Sequence, residues 1–164
     1  MKKSVIFIFA VILGTGAGLL VSLCFQITEI TDQSMLPSYE SGGRVMINRF
    51  AFAGEREPHR GDVILMKNKI YAVSGENTVM AKRVIGTAGD RVMITEGQVY
   101  VNNEKLDEAY VFTQGISGDM DEMQVPEGKI FVLGDNRAAS TDSRHESVGM
   151  VDEEDLLGKV ILKW

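Results

Sequence analysis

The chain has 164 residues, a formal net charge of −6 and a mean hydropathy of +0.01, which fit a single domain of ordinary size. The acidic balance argues against nucleic acid as a partner, because phosphate binding needs a basic face. One cysteine and two histidines are too few for a Cys/His zinc site or an internal disulfide. Hydrolytic chemistry would therefore depend on Ser, Lys, Asp or Glu.

The N-terminal segment is strongly apolar, since Val5–Phe25 contains no charged residue. As a helix it would be roughly 30 Å long, about the thickness of the hydrocarbon core of a bilayer. Two lysines precede this segment, and because they are the only charges before residue 29, the remainder carries −8. The positive-inside rule then predicts a cytoplasmic N-terminus. We predict a single-pass anchor in lipid contact along residues 5–25, within a segment 1–27, and an extracytoplasmic domain over 28–164.

A cleaved signal peptide is the alternative interpretation of this segment, with Val5–Leu13 as its apolar core. The apolar run resumes at Leu19–Phe25, which is not typical of a cleavage region. The small residues between Gly14 and Gly18 could instead mark a helix–helix contact, although such spacing is weak as a signal.

The remainder consists of short apolar runs separated by Gly, Asn and Asp, which predicts one all-β domain, a barrel or strongly twisted sheets. Asn102-Asn103 after Val99–Val101 is typical of a hairpin. We expect a loop at Gly115–Glu122 and one helical turn at Asp152–Leu157. The predicted strands are Arg44–Asn48, Asp62–Met66, Lys69–Val73, Thr78–Ile85, Asp90–Thr95, Gln98–Val101, Lys129–Leu133 and Lys159–Leu162.

Lys82 is the first candidate for chemistry. Strand alternation places it on one face with Met80 and Val84, both apolar. One interpretation is a strand-edge lysine that extends its ammonium to water. The other is a desolvated lysine, whose lowered pKa would make the neutral amine available as a general base.

Ser34 and a polar segment near the C-terminus are the other candidates. Ser34 alone could be a loop or capping serine, and as a nucleophile it would need a base. A Ser–Lys pair needs no histidine. The segment from Gly134 to Arg144 could simply fix a loop through Asp/Arg pairs. It could also orient a catalytic group, because Ser140 can accept a hydrogen bond from a lysine and Asp142 can pair with Arg144.

Together, and in this order, these segments resemble the type I signal peptidases of bacteria, which are membrane-bound serine proteases of the Ser/Lys kind. The short chain resembles the compact forms typical of Gram-positive bacteria. The motifs that carry the resemblance are Ser34-Met35-Leu36-Pro37, Arg60-Gly61-Asp62-Val63-Ile64, Lys82-Arg83-Val84-Ile85-Gly86 with Gly89-Asp90, Gly134-Asp135-Asn136-Arg137, and Ser140 with Asp142-Ser143-Arg144.

The resemblance implies an antiparallel, mainly β catalytic domain with no metal or other cofactor. Ser34 would be the nucleophile and Lys82 its general base. Ser140 would hydrogen-bond the lysine amine, and Asp142 and Arg144 would hold the segment in place, as would Asp135 and Arg137 less directly.

The implied substrates are exported pre-proteins that carry a signal peptide, cut after small residues at positions −3 and −1 near the outer membrane surface. The side chains expected to line the pockets for these residues are Ile30, Met35, Val45 and Met80.

Asp32 departs from the family pattern, which usually has Ser or Gly two residues before the nucleophile. A carboxylate cannot donate to a developing oxyanion and would oppose its charge. Either Asp32 points away from the nucleophile or turnover is slow.

Two other functions stay open at this point. One is a Ser/Lys peptidase of another kind, such as a self-cleaving repressor, although the apolar segment stands where such proteins have a DNA-binding region. The other is a catalytically weak or inactive membrane-anchored β domain that binds signal peptides.

Overall fold

The computed structural model describes residues 14–16, 18–54, 56–67, 79–111 and 118–164. Over these ranges the chain forms two β-sheets in which every strand pairing is antiparallel. The predicted mainly β, antiparallel architecture is therefore confirmed.

The larger sheet contains seven strands in the order β1-β2-β11-β3-β4-β9-β10. The strands β3 and β4 lie at its centre, so the segment that carries Lys82 is paired on both edges. The bounds of these strands are β1 Phe25–Glu29, β2 Arg44–Asn48, β3 Val63–Lys67, β4 Val79–Gly86, β9 Lys129–Leu133, β10 Val151–Asp152 and β11 Leu156–Lys163.

The smaller sheet contains four strands in the order β7-β6-β5-β8. Its bounds are β5 Arg91–Thr95, β6 Gln98–Val101, β7 Glu104–Lys105 and β8 Met120–Gln124. Asn102 and Asn103 have φ values of 55° and 68°, in the left-handed region that a two-residue hairpin turn requires. They connect β6 to β7, which confirms the predicted hairpin.

The two faces of the central strands are both buried, and alternation decides which side chain enters which cluster. On β4, Met80 and Val84 join one apolar cluster, whereas Ala81 joins another on the opposite face. A third cluster fills the space between the two sheets, with Ile85 from β4 and Val92 from β5 among its members. Residue 82 therefore lies on a strand that apolar side chains cover on both sides.

Most predicted strands agree with the observed ones within one or two residues, and β11 begins earlier than predicted. Lys69–Val73 and Thr78 lie outside the described residues. The predicted loop at Gly115–Glu122 is wrong over its last part, because β8 begins at Met120 and pairs with β5 through its backbone although its side chains are polar. The strands β1, β7, β8 and β10 were not predicted. The helical turn is a 3₁₀ turn of three residues, Glu153–Asp155.

Ten residues of the predicted anchor, 5–13 and 17, lie outside the described residues. Residues 18–24 are helical, and β1 begins at Phe25, so the end of the apolar run enters the sheet. Within the described ranges, no helix has both the length and the apolar character needed to cross a membrane.

Candidate active site

Ser34 lies in a turned segment that follows β1 along the chain. The turn is closed by the Tyr39 amide, which donates to the Met35 carbonyl at 2.9 Å. The Met35 side chain is fully buried in an apolar cluster beneath this turn. Ser34 itself is only 2% exposed. The buried Met35 side chain therefore fixes the segment that presents the serine hydroxyl.

Lys82 lies on the central strand β4, where its Cα faces that of Ile64 on β3. Its side chain is 0% exposed, so the interpretation of a strand-edge lysine that reaches water is wrong. The Lys82 Nζ donates to Ser34 Oγ at 2.7 Å. The fold thus brings together the two predicted catalytic side chains, which are 48 positions apart along the chain.

Burial lowers the pKa of Lys82 below its ordinary value of 10.5, because removal from water disfavours the ammonium. The carboxylates of Asp32 and Asp142 oppose this shift, since negative charges nearby favour the ammonium. Desolvation is the larger effect, and the net direction is downward. The site therefore makes the neutral amine more accessible than in a lysine exposed to water.

Asp142 and Arg144 form a bidentate ion pair. Arg144 Nε donates to Asp142 Oδ1 at 2.8 Å and Arg144 Nη2 donates to Asp142 Oδ2 at 2.9 Å. Asp142 is fully buried and also accepts a hydrogen bond from the Gly134 amide at 3.0 Å. Burial by itself raises the pKa of Asp142, but the hydrogen bonds and the charge of Arg144, together with the Gly134 amide, outweigh it, and the pKa is lowered. These contacts fix the loop that runs from Gly134 to Arg144.

Ser140 is buried in the same loop, where its hydroxyl lies close enough to the Asp142 carboxylate to help lower the pKa of that group, and no hydrogen bond joins it to Lys82 within the described residues. The hydrogen bond expected between Ser140 and the Lys82 amine is therefore absent from this arrangement. The Cβ position of Gly134 would lie 2.3 Å from Ser140 Oγ, so the two residues are closely packed. Ser140 thus lies within the loop but is not joined to the lysine.

Asn136 joins this loop to the nucleophile turn. Its backbone amide donates to the Ser34 carbonyl at 2.9 Å, and its Nδ2 donates to the Gln33 carbonyl at 3.1 Å. This close approach of the loop to the nucleophile turn requires a glycine at position 134, because a Cβ there would lie 2.6 Å from the Ser34 carbonyl oxygen. Asn136 stands within the motif Gly134-Asp135-Asn136-Arg137, but no role was predicted for it.

Two arginines connect the loop to the rest of the domain. Arg83 donates to both carboxylate oxygens of Asp135, at 2.8 and 2.6 Å, and its guanidinium lies 4.0 Å from the centre of the Tyr110 ring. The buried Arg137 pairs with Glu108. Glu108 and Tyr110 follow β7 and were not predicted, because no local pattern marks a partner so distant in sequence.

Asp32 does not point away from the nucleophile. Its Oδ1 accepts hydrogen bonds from the Ser34 amide at 3.0 Å and from the Ser34 hydroxyl at 2.8 Å. Its Oδ2 lies 4.0 Å from Lys82 Nζ. The carboxylate is therefore part of the site.

The four predicted pocket residues are all buried but do not form one cluster. Ile30, Met35 and Val45 pack together, whereas Met80 belongs to the cluster on the other side of the sheet. In the described part of the chain, no group of three or more His, Cys, Asp or Glu side chains could hold a metal ion.

Comparison with known proteins places this arrangement in a family. The family model described as "Signal peptidase, peptidase S26" matches residues 1–164. The chain is 37% identical to signal peptidase I U of Bacillus subtilis over 79% of this chain and 70% of the relative. It is 30% identical to signal peptidase I V of the same species over 98% of both chains.

A solved structure agrees with these relatives. The crystal structure of a signal peptidase I from Enterococcus faecalis superposes with a TM-score of 0.52 at 29% identity, over 66% of this chain and all of that one. The chain belongs to the signal peptidase family, peptidase S26, and is a serine endopeptidase of the signal peptidase I type.

Proposed function

We propose that the chain removes N-terminal signal peptides from exported pre-proteins, with Ser34 as nucleophile and Lys82 as general base. The observation that carries the proposal is the 2.7 Å contact between Ser34 Oγ and the Nζ of a lysine that is 0% exposed. An amine at hydrogen-bond distance from a hydroxyl, with a lowered pKa, is the arrangement that activation of a serine requires. The names of the relatives support the substrate class.

The reaction would proceed through an acyl-enzyme. The neutral Lys82 amine accepts the proton of Ser34 as Oγ attacks the carbonyl carbon of the scissile bond. The lysine ammonium then gives that proton to the leaving amine, and the C–N bond breaks. In the second half, Lys82 accepts a proton from water, the resulting hydroxide attacks the ester, and Ser34 regains its proton.

The pocket for the substrate side chains at −1 and −3 remains a proposal. Ile30, Met35 and Val45 share one cluster, so they support a common apolar surface next to the nucleophile turn. We propose that this surface favours small residues at both positions. Met80 lies in a different cluster, and we leave it out of this pocket.

We also propose that the domain 28–164 works at the outer membrane surface, held by an anchor within residues 1–27. Exposed apolar side chains support lipid contact near β1. Ile27 on β1 and Leu162 on β11 are each more than half exposed. Strand β2 lies between these two strands, and its Met46 is the Cα partner of both residues. Protease added to intact cells should digest the domain, and a domain that stays protected would contradict this orientation.

The proposed function is tested by cleavage of a pre-protein with Ala-x-Ala before its cleavage site, using the full chain in detergent. Mass spectrometry of the products gives the bond that is cut. The wild type should cut after the second alanine, and Ser34→Ala should not cut at all while it keeps the wild-type melting temperature. Equal activity in both proteins would refute the role of Ser34. A substrate with leucine at −1 should be cut far more slowly.

A further inference from the structure

Asp32 makes contacts that the proposed reaction cannot use. A single oxygen of its carboxylate accepts both the amide and the hydroxyl of Ser34, at 3.0 and 2.8 Å. Its other oxygen is 4.0 Å from Lys82 Nζ. The Asp32 side chain is 45% exposed, whereas Ser34 and Lys82 are buried. Asp32 is thus the part of this cluster that has access to solvent.

The amide of a nucleophilic serine lies beside the carbonyl carbon that the serine attacks, so it is well placed to stabilise the developing oxyanion. Here that amide already donates to Asp32. A substrate carbonyl oxygen and the Asp32 carboxylate cannot both occupy this donor, and two negative oxygens at the same place would repel each other. Attack on a substrate therefore requires that the Asp32 carboxylate move away from the Ser34 amide.

The direction of the hydrogen bonds leads to the same conclusion. Lys82 Nζ donates to Ser34 Oγ, and the Ser34 hydroxyl donates to Asp32. The hydroxyl proton is thus directed away from the amine that has to accept it. This arrangement suits an ammonium at Lys82. Catalysis needs the Ser34 hydroxyl to donate to a neutral Lys82 amine instead.

Other charged groups also face Lys82, but they are not free to move. Asp142 and Asp135 favour the ammonium and Arg144 disfavours it. Both aspartates are fully buried, and each is paired with an arginine, Arg144 for Asp142 and Arg83 for Asp135. Of the charged side chains in the described ranges, Asp32 alone combines contact with both catalytic side chains and exposure to solvent.

We propose that Asp32 is a displaceable positioning residue, whose carboxylate holds Ser34 and Lys82 in a resting state until the main chain of a bound peptide displaces it. The inference rests on the proposed function. When a substrate carbonyl takes the Ser34 amide, Asp32 turns to solvent. The Ser34 hydroxyl then turns its proton towards Lys82, and the lysine ammonium releases its own proton to solvent.

The test compares the wild type with Asp32→Ala, Asp32→Asn and a control, Asp107→Asn, in the full chain in detergent. Asp107 is exposed and is not among the charged groups that shift the pKa of Lys82. We expect Asp32→Ala to raise kcat/KM at pH 7 about tenfold and to move the rise of activity with pH towards lower pH. Asp32→Asn keeps an oxygen that can cap the turn, so it should show the same pH shift with a smaller gain. Asp107→Asn should change neither quantity.

A second readout does not depend on activity. In ¹³C NMR of the full chain in micelles, the Lys82 Cε signal should titrate at lower pH in Asp32→Ala than in the wild type. The inference is overturned if this titration is the same in both proteins, or if Asp32→Ala lowers kcat/KM more than tenfold. If no pre-protein is cleaved although the titration moves as expected, the proposed function fails while the contact of Asp32 with Lys82 stands.

Discussion

Lys82 Nζ donates to Ser34 Oγ at 2.7 Å from a strand that lies at the centre of the larger sheet. Such a position normally holds an apolar side chain, as Met80 and Val84 on the same face of β4 do. A lysine there makes folding less favourable, because its side chain must either lose the hydration of its charge or give up its proton. The domain thus gives up stability at the place where the proposed chemistry needs an amine.

Lys82→Met should separate the two effects. Without an amine, cleavage of a pre-protein should be lost, and the free energy of unfolding should rise by about 1–3 kcal/mol because an apolar side chain of similar length fills the site. Urea denaturation and the cleavage assay check the two expectations. Lys82→Arg should be inactive as well, since a guanidinium does not deprotonate at useful pH. Activity in either variant would exclude Lys82 as the base.

Gly134→Ala should damage the junction between the two catalytic segments. The added Cβ would lie 2.6 Å from the Ser34 carbonyl oxygen, so the nucleophile turn and the loop would have to separate. We expect kcat/KM to fall at least about 100-fold, because small displacements of catalytic groups have large effects on rate. Gly18→Ala is the matched control, since no atom of the described residues lies within 4 Å of its Cβ position. Wild-type kinetics in Gly134→Ala would show that the junction does not need this close approach.

Glu108→Ala should destabilise the fold through Arg137. The Arg137 side chain is buried, and removal of its carboxylate partner leaves a guanidinium charge uncompensated. We expect a loss of about 3 kcal/mol in the free energy of unfolding, measured in urea. Glu104→Ala removes an exposed carboxylate from β7 and should stay within about 0.5 kcal/mol of the wild type. Equal effects of the two substitutions would argue against the Glu108–Arg137 pair.

Asp142→Asn should reveal a pH-dependent contribution to stability. The pKa of Asp142 is lower in the folded chain than its ordinary value of 3.8, so its carboxylate stabilises the fold above that value. This contribution is lost as the pH falls through the folded pKa. The difference in unfolding free energy between wild type and variant should therefore be full at pH 7 and should decrease in strong acid. A difference independent of pH would mean that the charge of Asp142 does not matter.

The sequence predicted most of the larger sheet, because strands such as β2, β3 and β9 carry apolar runs bounded by turn residues. It failed at β8, where Met120–Gln124 has mostly exposed polar side chains and is held by backbone pairing with β5. It also failed at β1, since Phe25–Glu29 overlaps the end of the apolar run. Patterns of hydrophobicity predict strands only where side chains are buried, and the side chains of these two edge strands are mostly exposed.

The two central side chains of the site, Ser34 and Lys82, were identified from motifs and lie together in the fold. The partners that come from distant segments could not be identified in this way. Glu108 and Tyr110 reach the site only because the smaller sheet packs against the larger one, which no local spacing records. For Asp32, chemistry alone left two orientations open, and the observed one depends on the exact turn of the chain before Ser34.

The most direct test of the account is a comparison of two pH titrations of the wild-type chain. One is the titration of the Lys82 Cε signal by ¹³C NMR, and the other is kcat/KM for cleavage of a pre-protein. Burial lowers the pKa of Lys82 below 10.5, and only the neutral amine can act as a base. Activity should therefore rise with pH as Lys82 loses its proton, with both midpoints together below that value. Full activity at a pH where Lys82 is still an ammonium would contradict its role as the base.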